Sequence, residues 1–182
     1  IYILFAIFIA GASLLTYLII YVPKFDYIQG RIFSFFNRET DSHNFQSDKA
    51  IESITSGGFF GKGIGEGVLK NRVPEAHTDY IISVISEEFG VVAIMLILLL
   101  FLIFIYMVFK KISFETNDKV KLILIGSISL ILMQATIHVG VNIRLFPTTG
   151  MTLPFLSYGG SSIISTSILA GIILNLTKRK IT

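Results

Sequence analysis

Residues 91–109 read VVAIMLILLLFLIFIYMVF, nineteen positions without a charge. About 20 such residues of helix cross a bilayer core, so this stretch reads as a membrane span. Directly before it, residues 73–90 read VPEAHTDYIISVISEEFG. Glu75, His77, Asp79, Glu87 and Glu88 are thereby crowded against the mouth of the span. Charge beside hydrocarbon is costly and is kept where it has a use.

Working outward, three further stretches are long and apolar enough to span: 1–22, 122–141 and 155–176. The predicted fold is therefore all-α, a polytopic membrane protein with four transmembrane helices (1–22, 91–109, 122–141, 155–176). Composition agrees, since 53% of the 182 residues are hydrophobic and only 15% charged. A soluble domain carries about 25% charged residues. The first span is too long for a signal peptide and lacks a basic leading region. The chain begins with Ile1 rather than Met, which predicts that it is not a complete translation product. With no cysteine, the loops hold their shape by packing rather than by disulfides. A net charge of +3 makes no case for nucleic acid.

Orientation follows from where Lys and Arg gather. Lys110, Lys111, Lys119 and Lys121 lie in the link between spans two and three, and the tail after span four reads TKRKIT. If spans alternate, both lie on one side, which is then the cytoplasm, with the C-terminus in it. The segment 23–78 carries seven basic and seven acidic residues, a neutral balance suited to translocation, and is predicted to be a large extracytoplasmic loop. It is too long to be only a connector. FDYIQGRIFSFFN places Phe25, Ile28, Ile32, Phe35 and Phe36 near helical spacing, an amphipathic helix suited to a membrane surface. SDKAIESI offers Ser47 as an N-cap, with Ala50, Ile51 and Ile54 on one face. SGGFFGKGIGEG, at 56–67, fails the P-loop spacing and reads as a backbone that bends or approaches something closely.

Among the polar residues, Thr78 or Asp79 would cap the helix leading into span two. Glu87 and Glu88 lie about 12 Å further along it and must be wetted or paired. Gln134 and His138 share a face of span three and predict an interhelical contact. Arg144 runs against the positive-inside bias and predicts an anionic partner, a glutamate or a phosphate. Ser161 with Ser165, and Ser162 with Thr166, have the spacing of close helix packing. An outward-facing groove with a carboxylate able to act as a base suits glycosyl transfer from a lipid-linked donor, and equally a proton-coupled transporter.

PEAHTDYIISVISEEFG and LFPTTGMTLPFLSYGGSS resemble two signatures of the SEDS family, and FQSDKAIESITSGGFFGKGIGEG precedes the first in the family's order. The stretch DKAIESITSGGFFGKGIGEGVLKNRVPEAHTDY is most similar to the family's cell-division branch of alphaproteobacterial type. The likeness covers nearly the whole chain as one membrane domain, 1–182. It implies the last four spans of a roughly ten-span fold in the bacterial cytoplasmic (inner) membrane. The implied activity is that of a peptidoglycan glycosyltransferase polymerising lipid II at the outer face during cell division. Asp79 matches the family's essential aspartate, the general base on the acceptor 4-hydroxyl. The resemblance leaves Lys62, Lys70, Arg72 and Arg144 to hold the pyrophosphate, with His77 and Ser161 also facing substrate. Glu75, Thr78, Glu87, Glu88, Gly159 and Gly160 support the site. Implied partners are a class B penicillin-binding protein, which is a transpeptidase, and other divisome proteins. No cofactor is required by this reading; a divalent cation is compatible with it but finds no dedicated ligand cluster. The chain departs from many relatives in carrying Thr149 where they have lysine. Without the other spans of the groove, the 182 residues are expected to be inactive alone. The rival readings are a lipid II flippase and a non-catalytic divisome scaffold.

Overall fold

The computed structural model describes residues 2–36, 42–73 and 75–178. Ile1, Pro74, the Lys70 side chain and the basic tail at 179–182 lie outside the described residues. Those described form seven α-helices and no strand, gathered into two compact units, Ile1–Phe45 and Gln46–Thr182.

The first unit is a long apolar helix and a short amphipathic one. Helix α1 (Tyr2–Tyr21) is apolar on every side, and large side chains all along it are exposed, as befits a helix whose neighbour is lipid. Pro23 opens a single 3-10 turn, where its missing N–H cannot extend the ladder. The chain turns through 95° into α2 (Asp26–Phe36), the expected amphipathic helix. Here Arg31 stacks over the Tyr27 ring, 4.3 Å from its centroid.

The second unit holds α3 (Ser42–Gly57) from Gln46 onward, α4 (Leu69–Arg72), α5 (Ile81–Phe114), α6 (Asp118–Asn142) and α7 (Gly160–Thr177). The last three are long and apolar enough to cross a membrane, and α1 with α2 would make a fourth as a bent pair. Spans were expected at 91–109, 122–141 and 155–176. The first two lie inside α5 and α6, but the third begins five residues late. Phe155 has φ +66, which no α-helix accommodates. Ser157 Oγ accepts the Leu153 N–H at 2.7 Å and donates to Thr78 O at 2.7 Å, so a held turn precedes Gly160.

Ser47 is not a cap, because α3 starts at Ser42. Ser47, Ala50 and Ser53 are buried along one face, and Gly57 lies close to the backbone of Ser86 and Glu87. This stripe of small residues lets α3 approach α4, the turn before α5 and, at Gly57, the backbone of α5 itself. Ala50 packs there with Leu69, Val73, Ala76, Tyr80, Val84 and Val141. A separate core of Val108, Leu124, Ile128, Ile131 and Ile173 holds α5, α6 and α7 together.

Helix α5 is broken at Gly90, with φ 79° and ψ 179°. A break within an apolar helix strands backbone groups that lipid cannot satisfy. The glycine-rich loop after α3 fills that break. Lys62 N and Gly63 N donate to the carbonyls of Glu87 and Glu88, at 2.9 and 3.1 Å. In return Val91 N and Val92 N donate to the carbonyls of Gly58 and Phe59, at 3.0 and 3.3 Å. Backbone meets backbone here, and a Cβ on Gly61 or Gly90 would collide with the opposite main chain. The expected close approach thus has a definite object, the interior of α5.

Candidate active site

Glu87 lies one turn before this break, buried, with its side chain only 3% exposed. Its Oε1 accepts from Lys62 Nζ at 2.9 Å and its Oε2 from the N–H groups of Val68 and Leu69, both at 3.0 Å. A buried carboxylate demands such partners, and here they tie the loop and the start of α4 to α5. The anchoring is to the loop rather than between spans. Glu88 lies beside it, close to Gly67.

The residues 75–80 form turns leading into α5. Thr78 N and Asp79 N both donate to Glu75 O, at 3.2 and 3.0 Å, and Thr78 Oγ1 donates to Glu75 Oε2 at 2.9 Å. The carbonyls of His77, Thr78 and Asp79 are each taken, two by the segment joining α6 to α7 and one by the last residue of α6. Tyr158 N donates to His77 O at 3.1 Å, Ser157 Oγ to Thr78 O at 2.7 Å, and Asn142 Nδ2 to Asp79 O at 2.9 Å. Successive carbonyls held this way fix the backbone on which the Asp79 side chain stands.

Tyr80 is the N-cap residue of α5, so neither Thr78 nor Asp79 occupies the expected place. The Ser83 N–H at the third helical position is taken by Asn142 Oδ1 at 3.2 Å. Asn142 ends α6, is fully buried, and also accepts from Ser83 Oγ at 2.7 Å. Sequence reasoning missed this residue. Its only local signal is an amide at the end of an apolar span, where burial makes a polar side chain find partners.

Asp79 is half-buried, and a Cβ on Gly150 would lie 3.7 Å from its Oδ2. Gly150 itself has φ +71, a backbone conformation that disfavours any side chain there. It also lines a groove of about 340 Å³ with Gln134, Met151, Thr152, Gly159, Ser161, Ser162 and Ser165. Gln134 Nε2 reaches Thr152 O at 2.9 Å and Ser162 Oγ at 3.0 Å, and His138 Nδ1 lies 2.8 Å from Met151 O. Gln134 and His138 do share a face, but that face holds mostly the loop. Of the two small-residue pairs, Thr166 is buried whereas Ser161 and Ser165 are open to the groove.

The cations divide between two places. Lys62 and Arg72 line a pocket of about 200 Å³ with Lys49, Glu52, Ser53, Ser56 and Glu87. There Lys49 bonds Glu52 and holds its carboxyl below the usual range, the hydrogen bond leading. Arg144, in a left-handed conformation at φ +58, pairs with Asp48. Its anionic partner is thus an aspartate of α3, not a glutamate. Behind the site, an apolar cleft of about 390 Å³ runs between α5 and α6, lined by residues such as Ile82, Phe101, Val139 and Leu153. The described residues gather no group of three or more His, Asp or Glu able to hold a metal ion.

The family model described as "Cell cycle protein" (FTSW_RODA_SPOVE) matches residues 1–181. A probable peptidoglycan glycosyltransferase FtsW of Caulobacter vibrioides is 38% identical over 159 residues, 86% of this chain and 40% of that protein. The Enterococcus hirae protein of the same name is 36% identical over 179 residues, 96% of this chain and 45% of its own length. The chain therefore spans less than half the length of these relatives. A solved structure titled as the coordination of polymerization and crosslinking by a peptidoglycan synthase complex superimposes with a TM-score of 0.71 at 26% identity. The match covers 97% of this chain and 48% of that one.

Proposed function

The chain belongs to the FtsW/RodA/SpoVE family of cell cycle proteins, and from that premise we propose that it is part of a membrane-embedded peptidoglycan glycosyltransferase of cell division. The protein polymerises lipid II at the outer face of the cytoplasmic membrane, with the C-terminus in the cytoplasm. The observation that carries this reading is the Asp79 carboxylate beside Gly150 at the edge of a hydroxyl-lined groove, on a turn whose carbonyls are held from outside.

Asp79 acts as general base. Its carboxylate takes the proton of the acceptor sugar's 4-hydroxyl as that oxygen bonds to the donor's anomeric carbon. The bond from that carbon to the pyrophosphate breaks, the polyprenyl pyrophosphate departs, and the anomeric centre inverts. An alcohol is a weak nucleophile, so the carboxylate acts mainly as charge develops in the transition state. Lys62 and Arg72, which open on one pocket, would attract the anionic leaving group, and Arg144 joins them if it exchanges Asp48 for phosphate. Glu87, by contrast, is fully engaged in holding the loop and serves architecture. The partners are a class B penicillin-binding transpeptidase and other division proteins.

Asp79→Asn in the full-length protein, assayed on purified lipid II, is expected to lower polymerisation by about 10²–10⁴-fold while the transpeptidase still co-purifies. Retained polymerisation would refute the base assignment.

A further inference from the structure

A carboxylate at the start of a helix is normally drawn onto the first free N–H groups as a cap. Asp79 stands where that pull is strong, two residues before Ile81 opens α5. The Ser83 N–H, one of those free groups, belongs to Asn142 Oδ1, 59 residues away in sequence. The same Asn142 amide donates to Asp79 O at 2.9 Å and to His138 O at 2.9 Å. One buried side chain thus uses its acceptor on the helix start and its donors on the backbone of Asp79 and of its own helix.

We propose that Asn142 is the positioning residue for Asp79. Building on the reading of Asp79 as base, Asn142 ties the start of α5 to the end of α6 through Ser83 and so fixes the helix that Asp79 precedes. Its donor end holds the Asp79 carbonyl, which directs the carboxylate toward Gly150 and the groove. Ser157, bonded to Thr78 O one residue earlier, steadies the same turn.

The two ends of the amide can be separated experimentally. Asn142→Asp keeps the shape and the acceptor that caps Ser83 but loses the donor to Asp79 O. Asn142→Ala loses both. In the full-length protein with its transpeptidase partner, lipid II polymerisation should fall in kcat by about 10²-fold for Asn142→Asp, with KM within about twofold, the cost of a misplaced reacting group. Both variants should lower the thermal midpoint, the Asp variant because its carboxyl oxygen replaces a donor facing the carbonyls of Asp79 and His138, so kcat and KM are read on the folded fraction of each. Should neither Asn142 variant fold, Ser157→Ala tests the same turn and should lower kcat by a smaller factor without changing KM. An Asn142→Asp protein that turns over like the parent overturns the proposal, as does a loss confined to KM or to the folded fraction. Asp79→Asn is run beside these. If it stays active, the base reading fails; if it is dead while Asn142→Asp is fully active, only the positioning role fails.

Discussion

Glu87 shows how one residue's chemistry is decided by its partners rather than by its type. Three donors converge on a carboxylate that is almost wholly buried. Hydrogen bonds to a charged group contribute about 1.5–3 kcal/mol each, so Glu87→Ala should destabilise by about 3 kcal/mol or more. Lys62→Met should cost less, about 1–2 kcal/mol, because the ammonium is partly in water and two backbone donors stay on Glu87. Thermal unfolding in detergent checks this ranking; equal losses would show that the ion pair, not the two backbone bonds, dominates. The place of Asp79 was readable from sequence, as a charge at the mouth of an apolar run. Asn142 was not. Its partners Ser83 and Asp79 lie 59 and 63 residues away, and periodicity reports only neighbours along the chain. Asp48, 96 residues from Arg144, was hidden for the same reason, although the need of Arg144 for an anion was readable.

At the scale of elements, helices that are apolar over twenty residues announce themselves, and α5 and α6 enclose the expected spans. What escaped was the break at Gly90, because a single glycine in an apolar run looks like any other. Its meaning depends on the loop 28 to 32 residues earlier, whose glycines were noticed but whose target was not. Gly90→Ala should be strongly destabilising. The left-handed backbone alone costs a Cβ-bearing residue about 1–2 kcal/mol, and the added methyl would strike Phe59 O. Gly126→Ala in α6 meets open space and should instead stabilise by about 0.5–1 kcal/mol. Opposite shifts of the melting temperature are the expected result. The late start of α7 has a comparable origin, since PFLSYGG is apolar enough to read as span until Ser157 is seen bonded to Thr78.

For the whole molecule, the absence of cysteine makes the proposed orientation directly testable. Ile64 is 80% exposed in the glycine-rich loop, and Thr116 lies in the link between α5 and α6. In intact cells, with cysteines elsewhere in the full-length protein replaced, Ile64→Cys should react with a membrane-impermeant maleimide. Thr116→Cys should react only after the membrane is opened; the reverse pattern would invert the topology. The loop threaded into α5 also sets how the protein moves. Glycine-rich surface loops ordinarily exchange their amide hydrogens with solvent quickly. Here the N–H groups of Lys62 and Gly63 are bonded into the break, and those of Val91 and Val92 are bonded out to the loop. The four amides therefore exchange at one shared, slow rate, because none is exposed until loop and helix part together.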